Sequence, residues 1–275
     1  MSSTARLAAL FTGAALLMPA VASADTSLQI GGSTALQPLA QAAADTYTQQ
    51  NKDVKISVGG GGSGTGVRQA EAGTFDIGDS DVLAPQFPDL IDHRVCVIGF
   101  AVVANPGVGA KNVTKQQLVD IFDGKVTNWK EVGGSDVKIV VINRPKGSGT
   151  RAVFTKTIMG TNKLTEAGGE QDATGSVVTA VAGTPGAVSY AALSGVHGKG
   201  LTELSVDGTS PTDDSIESGK WPVWSYEHMF TKSGLDPDKN KEASRFIAYV
   251  TSNGAVVKKL GYILIRDMQV KETDR

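Results

Sequence analysis

Between residues 28 and 155 this chain three times runs an apolar stretch into a turn carrying glycine with serine or threonine, and then into a helix-type segment. A repeated order of strand, turn and helix start restricts the fold to layered α/β arrangements. The fullest example reads Asn-Arg-Pro-Lys-Gly-Ser-Gly-Thr-Arg-Ala-Val-Phe-Thr over residues 143–155, after the apolar run 137–142. The first amides of a helix have no internal acceptor and carry the positive end of its dipole, so such a turn offers an anion site. Ser148 and Thr150 add hydroxyl donors, and Arg144 and Arg151 add guanidinium groups that match an oxyanion in bidentate fashion.

In the first turn, a strand at 28–30 meets Gly31-Gly32-Ser33-Thr34 and an alanine-rich helix at 35–50, with Leu39, Ala42, Ala43 and Tyr47 on one stripe. Thr34 and Gln37 have the spacing of a capping box. In the second, the alternating strand 54–58 enters the glycine run 59–66, and 67–72 suits a short helix. Each motif alone is also compatible with a plain turn or N-cap, and the glycine run with a flexible linker. The glycine run lacks the Gly-Lys-Ser/Thr ending of a nucleotide-binding P-loop, which excludes that reading.

Charge narrows the partners. Twenty-six Lys and Arg stand against 28 Asp and Glu, a net charge of −2. There is no basic stripe of the kind that nucleic acid requires, so any anion site must be local and built from oriented dipoles. Residues 1–24 hold one charged residue, Arg6, then an apolar run at 7–17, Pro19 and Ala22-Ser23-Ala24. This is the order of a secretory signal peptide, too short to span a membrane. Its removal from 275 residues leaves 251, with no cysteine at the cleavage point for a lipid anchor. The only cysteine, Cys96, lies in an apolar run and reads as a buried thiol.

Elsewhere, 75–81 reads as a short strand ending in acids. Asp76 and Asp79 suit a helix cap or a solvated turn, and no further ligand follows at metal spacing. Residues 94–105 predict a strand buried on both faces, and 114–124 a capped helix with Trp129 packed beneath it. A helix is expected at 174–182, strands at 187–190 and 201–206, and a polar loop at 209–219. Pro222 makes 221–230 an edge or crossing strand. An amphipathic helix at 236–252 and a last strand at 262–265 complete the chain. The expected fold class is α/β with mostly parallel sheets, whose ligands gather at the carboxyl ends of the strands.

Several motifs together resemble the periplasmic phosphate-binding proteins of ABC transporters, the PstS-like group, in its shorter members. They are Gly32-Ser33-Thr34 with Pro38, Gly62-Ser63-Gly64, Asp76-Ile77-Gly78 through Ser80-Asp81, Arg144 with Gly147-Ser148-Gly149-Thr150, and Pro185-Gly186-Ala187-Val188-Ser189-Tyr190. The resemblance covers essentially the whole chain after the signal peptide. It implies a two-lobed type II periplasmic binding protein with a two-crossing hinge: lobe one at 25–103 and 224–275, lobe two at 104–223. It implies phosphate bound by Thr34, the Ala35 amide, Ser63 and Asp81 from lobe one, and by Arg144, Ser148, Gly149 and Thr150 from lobe two. It further implies a periplasmic protein, expected to be monomeric, that delivers phosphate to an inner-membrane ABC permease without cofactor, metal or catalysis.

Asp81 gives that site selectivity. A protonated phosphate oxygen can donate to its carboxylate, whereas fully ionised sulfate has no proton to donate and would face a like charge. Lys146 departs from the family pattern, standing where many relatives place an acid that pairs with the arginine. Arg151 reads more as a brace of the loop than as a ligand contact, and Trp221 and Trp224 as packing near the second crossing. One rival keeps the fold with another tetrahedral oxyanion (sulfate, molybdate or tungstate). Another is a secreted serine hydrolase, for which Ser63, Ser80 or Ser148 would need His93, His197 or His228 as base. A signalling or adhesion role for the same fold is a third.

Overall fold

A computed structural model describes residues 26–234 and 236–274. The expected signal peptide lies outside the described residues. Strand β1 (Thr26–Gly32), helix α1 (Gln37–Gln50), β2 (Val54–Gly59), α2 (Ser63–Glu71) and β3 (Ile77–Ser80) form two strand-turn-helix units and a third strand. The long β4 (Leu90–Ala104), β5 (Asn112–Val113) and α3 (Lys115–Phe122) follow, then β6 (Val140–Asn143), α4 (Gly149–Phe154) and β7 (Gly169–Glu170). After these come α5 (Thr174–Gly183), β8 (Ala187–Ala192), α6 (Leu193–Val196), β9 (Thr202–Glu203) and β10 (Ser205–Val206). The chain closes with α7 (Asp213–Glu217), β11 (Trp224–Lys232), α8 (Pro237–Ser252) and α9 (Gly254–Lys259).

The strands lie in the order β2-β1-β3-β11-β4-β8-β6-β7, with β9 against β4. Pairing is parallel among β2, β1 and β3, and again among β8, β6 and β7. The antiparallel pairs lie between, where β11 meets β3 and β4, and where β4 meets β8. Strand β4 holds the two halves together: Leu90–Gly99 pairs with β11, and Phe100–Ala104 pairs with β8. Its apolar run is completely buried from Val95 to Ala104, as expected of a strand covered on both faces.

Packing follows the apolar pattern. Leu39, Ala40, Ala43 and Ala44 of α1 and Phe246, Ile247 and Val250 of α8 are buried in the first half. In the second half Phe154 stacks on Tyr190 at 4.1 Å, with Phe122 tilted against both. Trp129, Trp221 and Trp224 are fully buried; Trp129 Nε1 donates to the Gly186 carbonyl and Trp221 Nε1 to that of Phe100. Each large apolar side chain so buried contributes about 1.5–3 kcal/mol.

Several local expectations change. Leu36, not Thr34, is the N-cap of α1 and provides no side-chain cap; Ser33 Oγ instead accepts from the amides of Ala35 and Leu36. Helix α2 begins at Ser63, four residues before the expected start, because Gly62 with φ 81° turns the chain directly into it. The polar segment 209–219 contains α7, capped by Thr212, and 201–206 splits into β9 and β10. Residues 262–265 contribute one bridge, Ile263 with Val97, rather than a strand. Of the two alternatives for 221–230 the edge strand is excluded: β11 is internal to the sheet, and Pro222 lies before its first residue and costs it no ladder bond.

Candidate functional site

The carboxyl ends of β1, β2, β3 and β6 open toward one another, and each leads into a short polar turn. Close backbone approach requires glycine at two points. Gly32, with φ 136°, lies so near the Asp79 carbonyl and the Gly66 Cα that a side chain would have no space. A Cβ at Gly149 would strike Ser63 Oγ and lie 2.7 Å from Asp81 Cβ. The amide of Gly64 donates to the Gly147 carbonyl at 2.9 Å, which closes the turns of the two halves against each other.

All eight expected site residues meet here. Thr34, Ala35, Ser63, Asp81, Arg144, Ser148, Gly149 and Thr150 are buried. Asp81 is the centre of the polar network: its amide donates to Ser63 Oγ at 2.9 Å, Thr150 Oγ1 donates to its Oδ2 at 2.9 Å, and Ser33 Oγ donates to its Oδ1. Among the described residues the Ser63 hydroxyl donates to no acceptor. Ser148 likewise accepts from the Arg151 amide as N-cap of α4 and retains its proton for another acceptor. The Gly149 and Thr150 amides precede the first intrahelical bond of α4 and face out of its end. The Ala35 amide, unlike those of Gly149 and Thr150, already has a partner, Ser33 Oγ at 3.1 Å.

Arg144 is 1% exposed and reaches across the junction. Its Nη2 donates to Thr34 Oγ1 at 3.2 Å and to the Asp172 carbonyl at 2.8 Å, while Nε and Nη1 are buried with no acceptor among the described residues. Burial lowers its proton affinity, and the neighbouring Asp81 opposes that shift. A guanidinium in a protein keeps its proton, so this is a buried cation with two unmatched donors. Lys146 is exposed on the loop and supplies no counter-charge. Arg151 braces the loop, its Nη1 donating to the Arg144 carbonyl at 2.6 Å, with Glu170 at 3.8 Å. Tyr190, packed beneath, has its phenol pushed up to about 12 by burial.

Two acids differ from expectation. Asp76 is no solvated cap: it is buried, accepts from the Gln29 amide at 2.8 Å and pairs with Lys239 at 3.1 Å. Asp79 is fully buried with both oxygens unpartnered, because it sits mid-ladder beneath the turns rather than at their tip. Ser33, which the sequence marks only as part of a motif, is central, since it ties Asp81 to the start of α1. Its signal was the serine itself, in a turn whose neighbouring threonine drew the functional reading. The histidines stand elsewhere: His93 faces Thr231 from within β4, His228 is buried against Asp92, and His197 faces Glu203 at the surface. No site serine has one as a base. A groove of about 830 Å³ between α6, α7 and α9 lies apart from this network.

The chain matches the family model described as a PBP superfamily domain over residues 19–254. It is 40% identical to the phosphate-binding protein PstS of Bacillus subtilis over 255 residues, which is 90% of this chain and 83% of that protein. Among solved structures, a substrate-binding protein from Clostridium perfringens with bound phosphate superposes with a TM-score of 0.81 at 28% identity, covering 87% of this chain and all of that one. An ABC-type phosphate transport receptor from Vibrio cholerae gives 0.68 at 27% identity, over 86% of this chain and 99% of that one.

Proposed function

We propose a function from one premise: the chain belongs to the PstS phosphate-binding proteins of the PBP superfamily. It is an extracytoplasmic receptor that captures inorganic phosphate between two lobes and delivers it to an ABC transporter permease, with no catalysis of its own. The observation that carries this reading is Arg144, a buried cation between the halves with Nε and Nη1 unmatched. Phosphate oxygens supply acceptors for both. The free hydroxyl protons of Ser63 and Ser148 and the amides of Gly149 and Thr150 add neutral donors, and Thr34 and Ala35 complete the first lobe's side. Asp81 then accepts the proton of a protonated phosphate oxygen, which sulfate lacks.

The lobes are 25–103 with 224–275, and 104–223, the signal peptide 1–24 being removed on export. The change of partner along β4 from β11 to β8, and the bond from the Phe100 amide to the Val223 carbonyl at 2.8 Å, support two adjacent crossings, near 102–105 and 223–226. Because the site draws on both lobes, the closed form binds better than the open one, which is what ligand-driven closure requires. The receptor works as a monomer in the periplasm against an inner-membrane permease. Titration of the wild-type chain and of Arg144→Ala with phosphate tests the assignment. One-to-one binding lost in the variant supports it, and equal binding by both refutes it.

A further inference from the structure

Beneath the anion site lie carboxyl groups that the binding role leaves unused. In the ladder between β3 and β11, Phe230 pairs with Gly78, Met229 with Asp79 and His228 with Ser80. The ladder ends there, and beyond it the Glu227 carboxyl lies near enough to Asp81 and Asp79 to feel the charge of both. Side chains alternate along a strand, so Glu227, two residues from Met229, lies on the Asp79 face of the sheet, with the Asp81 carboxyl near both. Their exposures are 0%, 2% and 0%. On the other edge of β11, Glu227 pairs with Cys96, and the register shifts by one residue between Glu227 and His228. Such irregularities re-aim a side chain next to functional sites.

Ser33 links this layer to the site. Its hydroxyl donates to Asp81 Oδ1, its oxygen accepts from the Ala35 and Leu36 amides, and the Glu227 carboxyl lies beside it. A serine has one proton to donate. An ionised Glu227 would compete with Asp81 for that proton and place a further negative charge beneath the bound anion. A neutral Glu227 leaves the proton to Asp81. Around this face Asp79 comes from β3, Cys96 from β4, Tyr262 from the segment after α9, and Arg144 from the opposite half; His228 turns away toward Asp92. Arg144 is the only cation among them. Burial first, and then Asp81 and Asp79, push the Glu227 carboxyl well above the usual carboxylate range.

We propose that Glu227 is a positioning residue of the anion site: neutral, it leaves the Ser33 hydroxyl to Asp81, and its ionisation weakens the hold on the anion. The inference rests on the phosphate-binding reading. It makes affinity fall on the alkaline side through a residue that never touches the ligand.

The test compares phosphate affinity of the wild type and Glu227→Gln from mildly acid to alkaline pH. Taking the ratio at each pH cancels the ionisation of phosphate and of every group common to both proteins. The ratio of variant to wild-type affinity should rise about tenfold or more across that range, as one added neighbouring charge demands. A ratio that stays constant overturns the proposal. Should the variant fail to fold, glutamate-labelled wild type followed by infrared spectroscopy decides: the band of a protonated buried carboxyl should vanish with the same midpoint as the loss of affinity. A band that is absent at neutral pH, or that persists through the loss, overturns it. Wild type that binds no phosphate at any pH would instead refute the proposed function itself.

Discussion

Asp81 and Thr150, 69 residues apart, are joined by a 2.9 Å hydrogen bond from the Thr150 hydroxyl to Asp81 Oδ2. The bond ties the turn after β3 to the first turn of α4, and so the acidic centre of one half to the helix end of the other. Beside it, Arg144 reaches Thr34 in the opposite direction. In the proposed closure, the joining of the two halves and the assembly of the site are therefore one event.

Asp81→Asn keeps the shape and the hydrogen-bonding capacity but removes the charge. The selectivity argument then predicts that preference for phosphate over sulfate falls about tenfold or more, since a like charge facing an anion costs several kcal/mol. Competition of the two anions in equilibrium dialysis reads the ratio. Unchanged discrimination would move selectivity to another group.

Arg144→Ala removes the buried cation and the partner of Thr34. Truncating one member of a buried charge-assisted set costs about 2–5 kcal/mol, so phosphate affinity should drop roughly 30-fold or more. The fold itself should persist, because Arg144 has two unmatched donors and its burial is unfavourable in the absence of an anion. Calorimetry and thermal melting separate the two effects. Phosphate should raise the melting temperature of the wild type and leave the variant's almost unmoved.

Gly149→Ala places a methyl group 2.7 Å from Asp81 Cβ and against Ser63 Oγ. The clash exists only when the halves are together, so the substitution should weaken binding by about 1–3 kcal/mol. Secondary structure by circular dichroism should be unaffected. Scattering in solution, with and without phosphate, should show a wild type that compacts and a variant that does not. Equal compaction in both would mean that the turns do not close as described.

Much of this arrangement was legible in the sequence, where spacing acts locally. The three glycine turns, the buried strand through Cys96, the capped helix after Thr114 and the buried Trp129 all follow from neighbours a few residues apart. Thr34 and Gln37 misled for the same reason: the capping spacing is present, but Ser33 takes the amides because its oxygen is fixed by Asp81. Asp79 and Asp76 read as surface acids, since nothing near them in sequence shows that β11 and α8 cover them. Glu227 gave no signal at all, as its neighbours Asp81 and Ser33 come from distant segments.

Asp79 also predicts a dependence of stability on pH. Burial, then the charge of Asp81, raise its proton affinity well above that of an unfolded aspartate, near 3.9. The folded chain then holds a proton that the unfolded chain has lost. This contribution to stability is complete below about pH 4 and is lost progressively as pH rises toward the folded-state value. Asp79→Asn carries no such penalty. Its stability relative to wild type should therefore increase with pH, by up to about 1.4 kcal/mol per unit. Urea melts at several pH values check the sign, and a difference that does not vary with pH would show Asp79 to be ionised in the folded protein.

The central claim is that phosphate joins Arg144 to the donors of both halves under the control of Asp81. Calorimetric titration of the mature chain, stripped of anion by unfolding and refolding, tests it most directly, with phosphate first and sulfate second. The account predicts one phosphate per chain and little heat from sulfate. Sulfate bound as tightly as phosphate, or neither anion bound, would contradict it.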